Sequence, residues 1–138
     1  MIIIPKAIYD DMITHAQDGF PLEVCGILGG VGDSVSANYR MTNTDASNEH
    51  FMMDPREQFA VVKELRAKGL AMLAIYHSHP ETQARPSEED IRLALTPDVS
   101  YLIISLANAD KPEVNSYKIR AGNVQIETIK VIIYKICR

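Results

Sequence analysis

Cysteine is scarce in this chain of 138 residues: Cys25 and Cys137 stand far apart, in no C-x-x-C pattern. That argues against a disulfide framework and against a cysteine-rich structural zinc site. Zinc deaminases pair His-x-Glu with a later Pro-Cys-x-x-Cys, and the chain has neither. Basic runs are missing too. Fourteen Lys and Arg against eighteen Asp and Glu leave a net charge of −4, which points away from nucleic acid and anionic membrane as partners. No apolar run approaches the roughly 20 residues of a bilayer span, and residues 1–5 are too short for a signal-peptide core. A cytoplasmic protein is therefore expected. Gly29, Gly30 and Gly32 make a turn, but no helix or phosphate-loop pattern follows, which leaves little for a nucleotide reading. Repeats, linkers and low-complexity tracts are absent.

What is present is the composition of a folded domain, 46% hydrophobic and 23% charged. A single domain, residues 1–138, buries roughly two-thirds of its unfolded surface at this length. Residues 2–4 are β-prone. Pro5 takes the first position of a helix to about residue 17, with Ile8, Met12 and Ala16 on one stripe, ended by Gly19 and Pro21. Strands are predicted over 22–30, 35–43 and 50–53, the last two separated by the polar loop 44–49. Asp54 caps a second helix that Pro55 opens; its face is traced by Phe59, Val62, Leu65 and Arg66, and Gly69 closes it. The apolar run 70–75, bounded by Gly69 and Pro80, reads as a buried strand. A polar loop over 81–86 and a short helix from Ser87 follow. A strand over 99–106 and a hairpin of 114–120 with 124–129 come next, and the apolar tail 130–138 is a last strand or helix segment. The fold class is α/β (α+β), a sheet with two main helices and a short one.

Two histidines, a serine and an aspartate crowd into residues 76–90, directly after the apolar strand. His77 and His79 are two apart at a strand end, so both imidazoles point to one face. The following loop brings Asp90, on the first turn of its helix, back toward them. Two neutral imidazoles and a carboxylate are the protein half of a catalytic zinc site, with the fourth position left to water. Each piece also has a plain structural explanation. His-x-His arises by chance, Ser87 is a sound N-cap, and Asp90 complements a helix dipole. Ser87 can cap its helix and still aim its hydroxyl at a reacting group. Glu23 is out of place at the head of so apolar a strand; a carboxylate there is solvent-facing, paired, or part of a site. Cys25 reads as a small buried apolar residue rather than a ligand, and His15 as a helix-boundary histidine with no ligand role. His50 has no assigned place.

Taken together, His77-Ser78-His79, seven residues, Ser87, two residues, Asp90, with Glu23 upstream, resembles the JAMM motif of the MPN-type metallopeptidases. The settings Pro21-Leu22-Glu23-Val24-Cys25-Gly26-Ile27-Leu28-Gly29 and Phe51-Met52-Met53-Asp54-Pro55 are similar to that family as well. The likeness runs along nearly the whole chain, and its length resembles the compact stand-alone prokaryotic members. The resemblance implies a mixed sheet flanked by helices, of cytidine-deaminase-like architecture. It implies one Zn2+ per chain held by His77, His79 and Asp90, with Glu23 as general base and Ser87 helping to hold the developing oxyanion. It implies a hydrolase that cleaves an amide or isopeptide bond at the C-terminal Gly-Gly tail of a ubiquitin-like or sulfur-carrier protein. Such a tail is expected to lie extended along a sheet edge, with the strand before the 44–49 loop as the candidate. Two alternatives stay open: a non-catalytic MPN-fold binding or scaffold module, and a metal-dependent peptidase acting on cell-wall peptides. Scaffold modules usually lack part of the metal motif, all of which is present here.

Overall fold

The computed structural model describes residues 1–133. Its elements run β1 (Ile2–Pro5), α1 (Lys6–Gly19), β2 (Cys25–Val31), β3 (Ser34–Met41), α2 (Pro55–Ala67), β4 (Ala71–His79), α3 (Glu88–Leu93), β5 (Ser100–Ser105), β6 (Glu113–Arg120), β7 (Asn123–Glu127) and β8 (Ile129–Ile132). The eight strands form one mixed sheet in the order β7-β6-β5-β4-β2-β3-β1-β8. β4 runs antiparallel to β2 and parallel to β5. No helix among the described residues is long and apolar enough to cross a membrane.

Alternation along β4 divides the molecule. Ala74 and Tyr76 turn toward α1 and join Ile4, Met12, Ala16, Leu28 and Leu102 in one apolar cluster. Ile75 turns the other way and packs with Cys25, Ile27, Val61, Leu65 and Ile103 beneath α2. His77 and His79 fall in step with Ile75, so they open on the α2 side. Tyr76 explains one glycine. A Cβ at Gly26 would collide with the Tyr76 ring and hydroxyl, so only glycine lets that ring lie against β2. The same hydroxyl meets His15 Nδ1 at 2.7 Å, which holds His15 on the α1 side, away from His77 and His79 of the sheet. Burial pushes His15 down to about 4 and keeps it neutral.

The second helix begins as predicted, with the Asp54 carboxylate accepting from Arg56 N–H at 2.8 Å and Pro55 first. Its inward face is only partly the predicted one, keeping Leu65 but not Phe59. Val61 and Leu65 are buried, whereas Phe59 is 72% exposed. The first turn supplies the reason: Glu57 accepts from Thr42 N–H at 2.8 Å and from Thr42 Oγ1–H at 2.7 Å. Tying Glu57 to the end of β3 brings positions 61 and 65, one and two turns further on, onto the sheet. Each of those two side chains contributes about 1.5–3 kcal/mol by burial.

Other expectations shift in detail. Pro5 ends β1 and stands as the N-cap of α1 rather than as its first residue. The ladder of β2 starts at Cys25, so Glu23 and Val24 precede it. Residues 50–53 form no strand; an isolated bridge, Asn43↔Met53, stands in its place. Nor is β3 an outer strand. It lies between β2 and β1, although it shares only the pair Ile3↔Ser34 with β1.

β7 and β8 are separated by Thr128 alone yet stand at opposite ends of the strand order. One residue cannot bridge the width of an open sheet, so the sheet curls until both margins belong to one extended segment. That segment changes partner at Thr128, from β6 to β1. Ile2 N–H donates to Thr128 O at 3.0 Å across this seam. Beside it Glu127 accepts from the Ser100 and Ser116 hydroxyls at 2.6 and 2.8 Å. The apolar tail predicted over 130–138 is strand as far as Ile132, and residues 134–138 lie outside the described residues.

Candidate active site

The C-terminal end of β4 and the first turn of α3 meet on the α2 side of the sheet. There His77 Nε2 lies 3.1 Å from His79 Nε2, and both lie against Asp90 Oδ2, at 3.1 and 3.0 Å. His77 and His79 are buried. Phe51 stacks on His77 with ring centroids 4.6 Å apart, so loop 44–53 covers one side of the cluster.

α3 is too short to be stable by propensity and is held by its cap. Ser87 Oγ accepts from Asp90 N–H at 3.0 Å, and Asp90 Oδ2 accepts from Ser87 N–H at 3.0 Å, a reciprocal capping box. The box fixes the Asp90 rotamer, and thereby aims Oδ2 at the histidines. Accepting one bond leaves the Ser87 hydroxyl hydrogen free to donate elsewhere.

Loop 80–86 carries the other orienting contact. Ser105 Oγ–H donates to Thr82 O at 2.5 Å, and Ala84 O accepts from Tyr117 Oη–H at 2.5 Å and Asn115 Nδ2–H at 3.1 Å. Pinned in this way, the loop presents Gln83 O to His79 Nδ1 at 2.8 Å. A carbonyl only accepts, so Nδ1 carries the hydrogen and Nε2 of the neutral ring is a bare lone pair.

That lone pair faces a carboxylate oxygen and a second imidazole nitrogen. Three electron-rich atoms at 3.0–3.1 Å from one another call for a cation. Burial by itself would raise the Asp90 carboxyl, yet the adjoining His77 and His79 rings and the Ser87 N–H hold it well below the usual carboxylate range. Burial pushes His77 down, toward the neutral form a ligand needs. Ligand bonds of about 2.0–2.1 Å in a tetrahedron set their donor atoms about 3.3 Å apart, close to the spacing found. His77, His79 and Asp90 thus form a group able to hold a metal ion.

Glu23 is buried at 5% exposure, and its Oε1 has no hydrogen-bond partner in the chain. Burial raises its carboxyl to about 7, with His79, Asp90, His50 and Glu89 as its charged neighbours. The choice among solvent-facing, paired and site residue is thereby narrowed: Glu23 is neither exposed nor bonded. Ser78, between the two histidines, ties it to them indirectly. Its Oγ accepts from Val24 N–H at 2.8 Å, and its own N–H donates to Val24 O at 3.0 Å. Sequence reasoning passed over Ser78, because a serine facing the opposite side of a strand carries no signal of its own. His50 now has a place, with Nδ1 2.7 Å from Glu89 Oε1 at the rim of the cleft. Cys25 is fully buried opposite His77 in the ladder, its thiol pushed up to about 12 by burial, and is inert as a ligand.

Residues 5–120 match the model of the prokaryotic homologues of the JAB domain. The chain belongs to this family. Among curated relatives of this JAB-domain protein, the CysO-cysteine peptidase of Mycobacterium tuberculosis is 32% identical over 134 residues, covering 96% of this chain and 92% of that one. The desampylase of Haloferax volcanii is 34% identical over 103 residues, covering 70% and 74%. The solution structure of a Desulfitobacterium hafniense protein superposes with a TM-score of 0.85 at 47% identity, covering 98% and 94%. The JAB-domain chain is accordingly a hydrolase of the protease class.

Proposed function

We propose that this JAB-domain protein is a zinc-dependent peptidase or isopeptidase of the cytoplasm. It hydrolyses the amide bond at the C-terminal Gly-Gly tail of a ubiquitin-like or sulfur-carrier protein. The observation that carries the chemistry is the convergence of two imidazole nitrogens and a carboxylate oxygen beside a buried carboxylate whose Oε1 is unpartnered. The substrate class follows the relatives named for cleaving CysO-cysteine and for desampylation, and the motif shared with MPN-type metallopeptidases.

In this reading His77, His79 and Asp90 hold the zinc, which when bound lowers the pKa of a water and polarises the scissile carbonyl. Glu23 takes a proton from the attacking water on its unpartnered Oε1. With a carboxyl held near 7 by burial, it can release that proton to the leaving amine at neutral pH. The carbon–oxygen bond forms, the carbon–nitrogen bond breaks, and the proton moves from water to amine by way of Glu23. Ser87 turns its free hydroxyl hydrogen toward the carbonyl oxygen as negative charge builds on it. The tail lies extended beside β3, whose half nearest Met41 has no β1 pairing.

Incubation with a Gly-Gly-tailed carrier bearing a C-terminal cysteine, followed by mass spectrometry, tests the substrate. Loss of the cysteine supports the reading, and cleavage of muropeptides alone overturns it. Ser87→Ala is expected to bind zinc normally and to slow hydrolysis by about 10²–10³. It should also lower unfolding stability by about 1 kcal/mol through the lost cap. A normal rate with lowered stability would leave Ser87 as a cap alone.

A further inference from the structure

Loop 44–53 is wound around one side chain. Asn43 Nδ2 donates to Glu23 O at 3.1 Å and to His50 O at 2.9 Å, while Asn43 Oδ1 accepts from Asp45 N–H and Met52 N–H, both at 3.1 Å. Within the loop Ser47 Oγ accepts from Glu49 N–H and His50 N–H at 3.0 and 3.2 Å, and Ser47 O accepts from Glu23 N–H at 2.8 Å. Both backbone groups of Glu23 therefore end on this loop. They have no alternative in the sheet, because the β2 ladder begins only at Cys25. The Glu23 side chain offers no help either, since its buried Oε1 is unpartnered. A carboxylate that must meet a reacting water within tenths of an ångström is thus aimed entirely through its peptide.

We propose that Asn43 is a positioning residue for the hydrolysis, holding the Glu23 peptide through its Nδ2 amide while its Oδ1 keeps loop 44–53 wound. This rests on the reading of Glu23 as general base. Asn43 has all four amide valences committed, two donated and two accepted, and neither Asp nor Ala can reproduce the set. A residue that only ordered the loop would touch the substrate side, where Phe51 stands against His77, and would act on KM. A residue that aims Glu23 acts on turnover.

The test compares Asn43→Ala and Asn43→Asp in the wild-type and Glu23→Gln backgrounds, with the Gly-Gly-tailed carrier as substrate. Zinc content and the hydrogen-exchange rate of the Glu23 amide are measured alongside. Asn43→Asp keeps both accepted bonds and loses both donated ones, so it carries the comparison even if the Ala variant does not fold. The expected result is a fall in kcat of about 10²-fold with KM and zinc content near wild type. Exchange at Glu23 N–H, which donates to Ser47 O on the loop, should be faster in Asn43→Ala, where the loop loses its Oδ1 bonds, and the Glu23→Gln background should show little further loss. An equal fold-loss in both backgrounds, a raised KM at normal kcat, or an Asn43→Asp enzyme of wild-type rate each overturns the proposal. Full activity of Glu23→Gln alone would instead remove the general-base reading on which it stands.

Discussion

Replacing His77 or Asp90 by Ala is expected to abolish metal binding and hydrolysis together. Three donor atoms lie at 3.0–3.1 Å from one another, and a tetrahedral ion with one open corner needs all three from the chain. Two remaining ligands bind far more weakly, because each lost donor is replaced by water at no chelate advantage. In the metal-free state the His77 variant should keep its fold, since removing His77 relieves a buried ring whose Nδ1 has no partner. The Asp90 variant also loses one half of the capping box, a cost of about 1 kcal/mol. Zinc content after dialysis, read beside cleavage of the carrier, checks both. Wild-type zinc in either variant would remove that residue from the ligand set.

Glu23→Gln is expected to separate what the first substitutions remove together. Zinc content stays at the wild-type level, while turnover drops by about 10²–10⁴, the range a general base supplies. The stability prediction has the opposite sign to that of most core changes. Burial raises this carboxyl from 4.5 to about 7, so ionising it in the fold costs free energy. That cost begins as pH rises past 4.5 and is complete above about 7. A neutral amide of the same volume escapes it. Metal-free Glu23→Gln should therefore unfold at a temperature no lower than wild type at pH 8, with the difference vanishing near pH 4. Turnover above a tenth of wild type would remove Glu23 from the proton transfer. A lowered unfolding temperature at pH 8 would mean that Oε1 has a partner that the chain itself does not supply.

The parts of this molecule that are legible in sequence are those set by local rules. His77 and His79 share a face because a strand repeats every two residues, and Asp54-Pro55 opens α2 because capping and a fixed φ are local. The rotation of α2 is not local. Phe59 and Val61 both suit an apolar stripe, and the choice between them is made by Glu57 reaching Thr42 at the end of β3. Residues 50–53 have the composition of a strand, yet Asn43 and Ser47 side chains satisfy the backbone groups that a ladder would have used. At the site itself, spacing suggests the two imidazoles and the returning aspartate. The tautomer of His79 depends on Gln83 O, which is held in turn by Ser105, Asn115 and Tyr117 on later strands. Contacts of that kind have no periodicity to read. Whether Glu23 is buried or exposed is likewise decided by residues distant in the chain.

The seam at Thr128 also sets the order in which the chain can assemble. β1 finds its full-length partner in β8, registered from Ile2↔Ile129 to Pro5↔Ile132, so this pairing carries nearly the largest loop-closure entropy the chain can have. High contact order makes it a late event in folding. β4, with three strands on one side and four on the other, is furthest from that join. The first and last strands can therefore breathe without loosening the histidine cluster at the end of β4.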